Sequence, residues 1–375
     1  MLRVFLLFIM ETILTFTSSA QTGDPIVQSP ATIAKTQSST TQTPHDSTPH
    51  HPVPALIITG SADLYYRYDL ARTDNNNFTS FTNTHNQFSL GMASIKIEHK
   101  TDRIDMVADL GVGPRQKDFA YNDKGIAQVI KQLYISYTVN NWLKVTAGTW
   151  ATHLCYESPD APANRNYSMS YLFTNGPFSH TGVKADFTAG KSGLMIGIAN
   201  PNDYRSIPSE GRNNKNIIAQ YSYAPTDNLK LCLNYAGGRD IEDNRTHQYD
   251  LVLTARTSSF FSLGFNGSLN KSSLASEKYS SSHSWWGSAL YLNIDPRRWY
   301  GLTLRTEYFN DEKGACLPAP ASIVATTLSA NFKIDGFTFI PEFRLENANT
   351  PIYAHHDGAP AHTAGSFLLA AVYSF

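Results

Sequence analysis

Histidines set beside hydroxyls and carboxylates are the residues of this chain best suited to chemistry at neutral pH. His180 stands between Ser179 and Thr181, and a later stretch carries His355, His356, Asp357 and His362. A serine activated by a histidine is a hydrolase arrangement, but such sets are made by spatial geometry and not by adjacency, and no third partner is marked. The later histidines could capture a divalent cation, as could His45, His50 and His51 near the start; a plain polar segment is the favoured reading of both groups. The patterns G-x-G-x-x-G, P-loop and H-E-x-x-H are absent. Cys155, Cys232 and Cys316 are odd in number and lack C-x-x-C spacing, which argues against a disulfide framework or a zinc site and leaves one bridge, Cys155 to Cys316, open. The reading is therefore of a non-enzyme with no cofactor and no metal.

What remains is charge placed at regular intervals among apolar neighbours. The basic set is Lys96, Lys144, Lys184, Lys230, Arg256, Arg305, Lys333 and Arg344; the acidic set is Asp105, Asp109, Asp186, Asp250, Glu307, Glu342 and Glu346. A third group, Glu157, Asp160 and Arg165, lies in the segment 151–178, which also holds Leu154, Tyr156, Tyr167, Met169, Tyr171, Leu172 and Phe173. A freely solvated loop has no need of so many apolar side chains. Folded inward, it would make those three charges candidates for a constriction; the alternatives are an outward cap and a contact with a neighbouring copy. Rings of one sign set selectivity in pores, whereas the mixed signs here fit a weakly selective channel or salt bridges that brace a wall.

The elements that must hold these charges are strands. Charged residues make up 16% of the chain against roughly 25% in an average soluble domain, aromatics 12%, and the mean hydropathy is still −0.30, so Ser, Thr and Asn fill the difference. A net charge of −1 and a pI near 6.9 argue against a nucleic-acid partner. After Ala55 the sequence runs in alternating stretches of nine to twelve residues. Short connections (100–102, 139–141, 190–193, 224–228, 257–259, 295–298 and 335–336) alternate with long ones centred near 77, 119, 164, 207, 242, 276, 316 and 356. Seven of one and eight of the other join sixteen strands, fourteen and eighteen being the alternatives. Minimal turns at one end and long loops at the other are the habit of outer-membrane barrels.

The faces agree. Ile104, Met106, Ala108, Leu110 and Val112 oppose Arg103, Asp105 and Asp109; Leu229, Leu231, Leu233 and Tyr235 oppose Lys230, Cys232 and Asn234. Phe337, Phe339, Pro341, Phe343 and Leu345 oppose Thr338, Glu342, Arg344 and Glu346. In a membrane barrel the apolar set meets lipid and the polar set a water-filled lumen. Trp142, Tyr223, Phe260, Trp299 and Phe337 would then form one interfacial girdle, and Tyr65, Tyr235, Trp286 and Tyr308 the other. Phe88, Leu90 and Met92 are out of phase with Ile95 and Ile97, which predicts a bulge or inward packing.

Ahead of the barrel, residues 1–20 read as a signal peptide cut after Ala20, and 21–54, rich in Thr, Ser, Pro and Gln, as a disordered periplasmic segment. No later stretch offers about 18 consecutive apolar residues for a helical span. The last stretch, Phe367 to Phe375, puts Phe367, Leu369, Ala371, Tyr373 and Phe375 on one face, as a closing strand would. Its terminal aromatic is similar to the signal read by barrel-assembly machinery.

The stretches Asn164 to Phe187, Pro341 to Asn347 and Leu368 to Phe375 resemble the outer-membrane β-barrel porins of the OmpL-like group found in Bacteroidota. The resemblance spans most of 56–375 and implies a porin-like channel without naming a solute. The group's pattern has a basic residue between the two serines Ser168 and Ser170, where this chain has Met169, so selectivity need not carry over. The expected function is passive diffusion of small hydrophilic solutes or ions across a bacterial outer membrane, with lipid, the assembly machinery acting through Phe375, and other copies of the chain as partners. The alternative is a non-conducting barrel that binds at the surface or serves a structural role.

Overall fold

The structure, a computed structural model, describes residues 55–375. The leader and the polar segment read at 1–20 and 21–54 lie outside the described residues, as do His45, His50 and His51.

Sixteen antiparallel strands follow one another around a closed barrel. The first eight are β1 (Ala55–Asp69), β2 (Gln87–Lys100), β3 (Ile104–Val112), β4 (Ile130–Asn140), β5 (Leu143–Ala151), β6 (Ser179–Ala189), β7 (Ser192–Ala199) and β8 (Asn216–Thr226). The second eight are β9 (Leu229–Arg239), β10 (Arg245–Arg256), β11 (Phe261–Ser273), β12 (His283–Arg297), β13 (Tyr300–Asp311), β14 (Ala321–Ile334), β15 (Phe337–Ala348) and β16 (Thr363–Ser374). Every strand pairs with its chain neighbours, and β16 returns to β1 with Ser374 opposite Ser61 and Ser366 opposite Asp69. Gly60 and Phe375 exchange backbone hydrogen bonds of 3.1 and 3.0 Å at the seam. Closure leaves the barrel without an open sheet edge, which hydrocarbon requires because it offers no competing donors or acceptors.

The turns and loops segregate to opposite ends as the spacing predicts. One of the two-residue turns, Asp335–Gly336, has φ of 47° and 82°, the left-handed pair of a type I′ turn whose twist matches that of its strands. The outward face is predominantly apolar: Ile104, Leu110, Leu233, Phe343 and Phe367 are all exposed. The break in phase on β2 is a bulge. Ala62 faces Ala93 but Leu64 faces Leu90, so Gly91 and Met92 share the place opposite Asp63. The Met92 N–H donates to Asp63 Oδ1 (3.3 Å), and the Met92 side chain turns inward and is buried. The extra residue moves the strand's side chains to the other face.

Trp142, Tyr223, Phe260, Trp299 and Phe337 are exposed at the turn end, and Trp286 at the loop end, as interfacial aromatics should be. Tyr65 is a correction. It shares the inward phase of Asp63 and Arg67, is 2% exposed, and packs against Tyr167 with ring centroids 5.4 Å apart; Leu64 takes the outward place. The interior holds four buried apolar clusters, and each contains side chains of the loop between β5 and β6: Tyr171 and Leu172, Ala161 and Tyr167, Met169 with Phe173 and Phe178, and Leu154.

Candidate channel and the loop that crosses it

Residues 152–178 leave β5, cross the lumen and return at β6. Local chemistry shapes the path. Asn164 folds back on the chain, accepting from Ser158 N (2.9 Å) and donating to Ser158 O (2.6 Å), which closes a short turn around a 3-10 segment at Ala161–Ala163. Ser170 caps a one-turn helix, Tyr171–Thr174, by accepting from Phe173 N at 3.1 Å.

An irregular backbone inside a membrane barrel must find partners for its N–H and C=O groups. The wall charges supply them. Glu342 accepts from Tyr167 N (2.8 Å) and Ser168 N (3.2 Å), Glu307 from Tyr171 N (2.8 Å), and Asp250 from Cys155 N (3.1 Å). Glu157, on the loop itself, accepts from Ser170 N at 2.7 Å. Arg305 donates to Ser168 O (2.7 Å) and to Glu157 Oε1 (2.6 Å), with its Nε 2.9 Å from Glu307. Arg344 joins Glu307 to Glu346, at 2.9 and 2.8 Å. Arg305 is 0% exposed, so this is a dry network: Glu157, Glu307 and Glu346 are held by the two arginines, and Glu342 and Asp250 by N–H and hydroxyl donors.

Tyr167 and Tyr171 lock the loop laterally. Burial pushes both phenols well above their ordinary range and keeps them as donors, Tyr167 to Asp63 Oδ2 (2.5 Å) and Tyr171 to Glu346 Oε1 (2.8 Å). Arg115, on the preceding long loop, covers Tyr167 with its guanidinium carbon 4.7 Å from the ring centroid and donates to Pro159 O at 3.2 Å. Nothing in the spacing of the sequence singled out Arg115, because its partners are more than forty residues away in the chain.

The three constriction candidates occupy different surroundings. The Glu157 side chain is 4% exposed and bonded to Arg305. Asp160 meets Lys131 at 2.5 Å with its side chain 29% exposed, and Lys131 also reaches Asp109 at 3.1 Å. Arg165 makes a two-pronged contact with Asp295 (2.9 and 2.6 Å) and donates to Thr303, its side chain 25% exposed. Met169 is fully buried among Phe81, Phe119, Phe173 and Phe178. The lumen-facing charges sort likewise: Arg305, Arg344, Glu307, Glu342, Glu346, Asp109 and Asp250 are buried, Lys144, Lys230 and Lys333 are exposed, and Lys96, Lys184, Asp105, Asp186 and Arg256 lie between. On the turn side of the loop, β4, β5 and β6 enclose a recess of 490 Å³ lined by Lys144, Lys184 and Asp186.

His180 is buried beside His153, ring centroids 5.1 Å apart, with Nε2 3.2 Å from Thr152 Oγ1. Burial pushes His153 down to about 4, so it is neutral at physiological pH. His355, His356 and Asp357 lie exposed at a loop tip, and His362 Nδ1 meets Ala348 O at 2.9 Å. Cys155, Cys232 and Cys316 are all free thiols, so the bridge left open by the sequence is not formed.

A closed barrel of sixteen strands, apolar outside and polar within, with a loop folded into its lumen, is a transmembrane β-barrel of the porin class. The chain belongs to the family described as "Putative beta-barrel porin-2, OmpL-like", whose model matches residues 55–375. The family implies the outer membrane as its location. By structure the chain is similar to an anion-selective porin from Comamonas acidovorans (TM-score 0.59, 9% identity, covering 86% of this chain and 100% of that one). It is also similar to the trimer form of OmpT, an outer-membrane protein of Vibrio cholerae (0.58, 11%, 86% and 99%). A third is the outer-membrane channel DcaP of Acinetobacter baumannii (0.55, 10%, 86% and 97%). At these identities the likeness is one of fold. No curated protein matches the sequence.

Proposed function

We propose that the protein is a porin-like channel of the bacterial outer membrane, passing small hydrophilic solutes or ions by passive diffusion through a lumen narrowed by the loop 152–178. The observation that carries this reading is the division of the wall charges. Those around the loop are buried, while Lys144, Lys230 and Lys333 still face water on the turn side, where the 490 Å³ recess opens. Asp160 with Lys131 and Arg165 with Asp295 sit at the loop's wetter margins and are the residues proposed to border the narrowest passage. Glu157, held by Arg305, fixes the loop's position.

The density of hydrogen bonds on the loop favours a second reading, a barrel closed by its own loop that works at the surface or as structure. Trimers of the OmpT kind make a homo-oligomer a reasonable assembly, and Phe375 is the proposed contact with the assembly machinery. Liposome swelling separates the two readings. Vesicles carrying the folded protein should swell in small sugars faster than in larger ones. Rates equal to those of protein-free vesicles for every solute would refute the channel.

A further inference from the structure

The loop takes up most of the wall's acids and, among the wall lysines, pairs with Lys131 through Asp160. Glu307, Glu342 and Asp250 accept backbone N–H groups of the loop, and Glu346 accepts the Tyr171 hydroxyl. Two lysines that the loop does not engage meet in the turn-side recess. In the ladder between β5 and β6, Lys144 faces Asp186 and Thr146 faces Lys184. Lys144 and Lys184 therefore line the recess from neighbouring strands, with Lys184 Nζ 3.8 Å from Asp186. The recess holds two cations to one anion.

A second, independent feature lies in the same wall. Trp150 lines the recess, is 4% exposed, and its indole N–H has no hydrogen-bond partner. Lys184 Nζ lies 5.2 Å from the Trp150 ring centroid, so the ammonium and the indole belong to one corner. Tyr134 and Gln132 also line it, and 490 Å³ is the size of a small-molecule pocket rather than a bare ion site.

We propose that this recess is an oxyanion subsite on the solute path, where a small solute's carboxylate or phosphate group is held by Lys144 and Lys184, with the Trp150 ring beside the Lys184 ammonium. The inference deepens the channel reading and rests on it for its place on that path; the binding itself is measurable without current. Inorganic phosphate, acetate and chloride are titrated at constant ionic strength onto the folded full chain in detergent, following intrinsic tryptophan fluorescence. Phosphate and acetate should give saturable changes and chloride none. The double variant K144Q/K184Q, with unchanged circular dichroism, should bind phosphate at least about tenfold more weakly, as expected for a lost charged hydrogen bond. A conducting barrel that shows no saturable change, the same change with chloride, or undiminished binding in the double variant overturns the subsite and leaves the channel standing. A barrel that binds phosphate and never conducts overturns the channel and leaves the seat. A barrel that does neither overturns both.

Discussion

Excising Leu154 to Phe173 and joining the ends with a short glycine-serine linker should raise conductance by about an order of magnitude. Sixteen strands about 4.8 Å apart and tilted about 40° give a circumference of about 100 Å and a backbone radius of about 16 Å. Subtracting about 5 Å of side chain, half the usual spacing of packed sheets, leaves a lumen radius of about 11 Å and an area of about 380 Å². The present recess of 490 Å³, spread over half of an apolar band about 25 Å tall, averages about 40 Å². The ratio is about ten. The assay is single-channel current in planar bilayers at fixed salt, with circular dichroism to show that the shortened chain is still a barrel. A folded variant whose conductance stays within about twofold of the parent would refute the placement of the loop in the conduction path.

Three further outcomes follow from the packing. Arg305→Met leaves Glu157 and Glu307 without their shared cation and should destabilise the barrel by about 3–5 kcal/mol, read from urea unfolding in detergent; a loss below about 1 kcal/mol would show that the network is not closed. Gly264→Val should expel Tyr156, since a Cβ at 264 would lie 2.4 Å from its ring, breaking the stack on Tyr291 at 4.1 Å and exposing the loop to protease; unchanged cleavage would contradict this. Asp203 anchors the loop's return by accepting from Phe178 N and Ser179 N, and burial pushes its carboxyl up to about 6. A raised carboxyl contributes stability that is full below the ordinary value near 4 and lost as pH rises through about 6, about 2–3 kcal/mol in all. Unfolding of the parent should therefore become easier between pH 4 and 7 by more than that of Asp203→Asn; parallel pH profiles would rule the anchor out.

Strand count, loop polarity and the inward phase of the charges were legible in the sequence, because alternation is a local property and each strand carries its own copy of it. The infolding of 152–178 was legible too, since Leu154, Tyr171 and Phe173 have no use in water. The partners of that loop were not. Glu342 and Tyr167, or Arg305 and Glu157, are more than a hundred residues apart, and only closure of the barrel decides which wall positions meet the loop. Tyr65 was misread as an interfacial aromatic for a related reason. On β1 the outward and inward faces both carry tyrosines, so hydrophobicity alone does not choose the phase, and the bulge opposite Asp63 marks where the pairing does. The mixed signs of the wall charges fitted both selectivity and bracing; burial now assigns the acids and arginines around the loop to bracing and leaves the lysines of the turn side facing solvent.

The most direct test of the account is single-channel recording of the purified, folded chain in planar bilayers. Discrete ohmic steps, enlarged when the loop is cut back, are the predicted result. A correctly folded barrel that stays silent in both forms would contradict it.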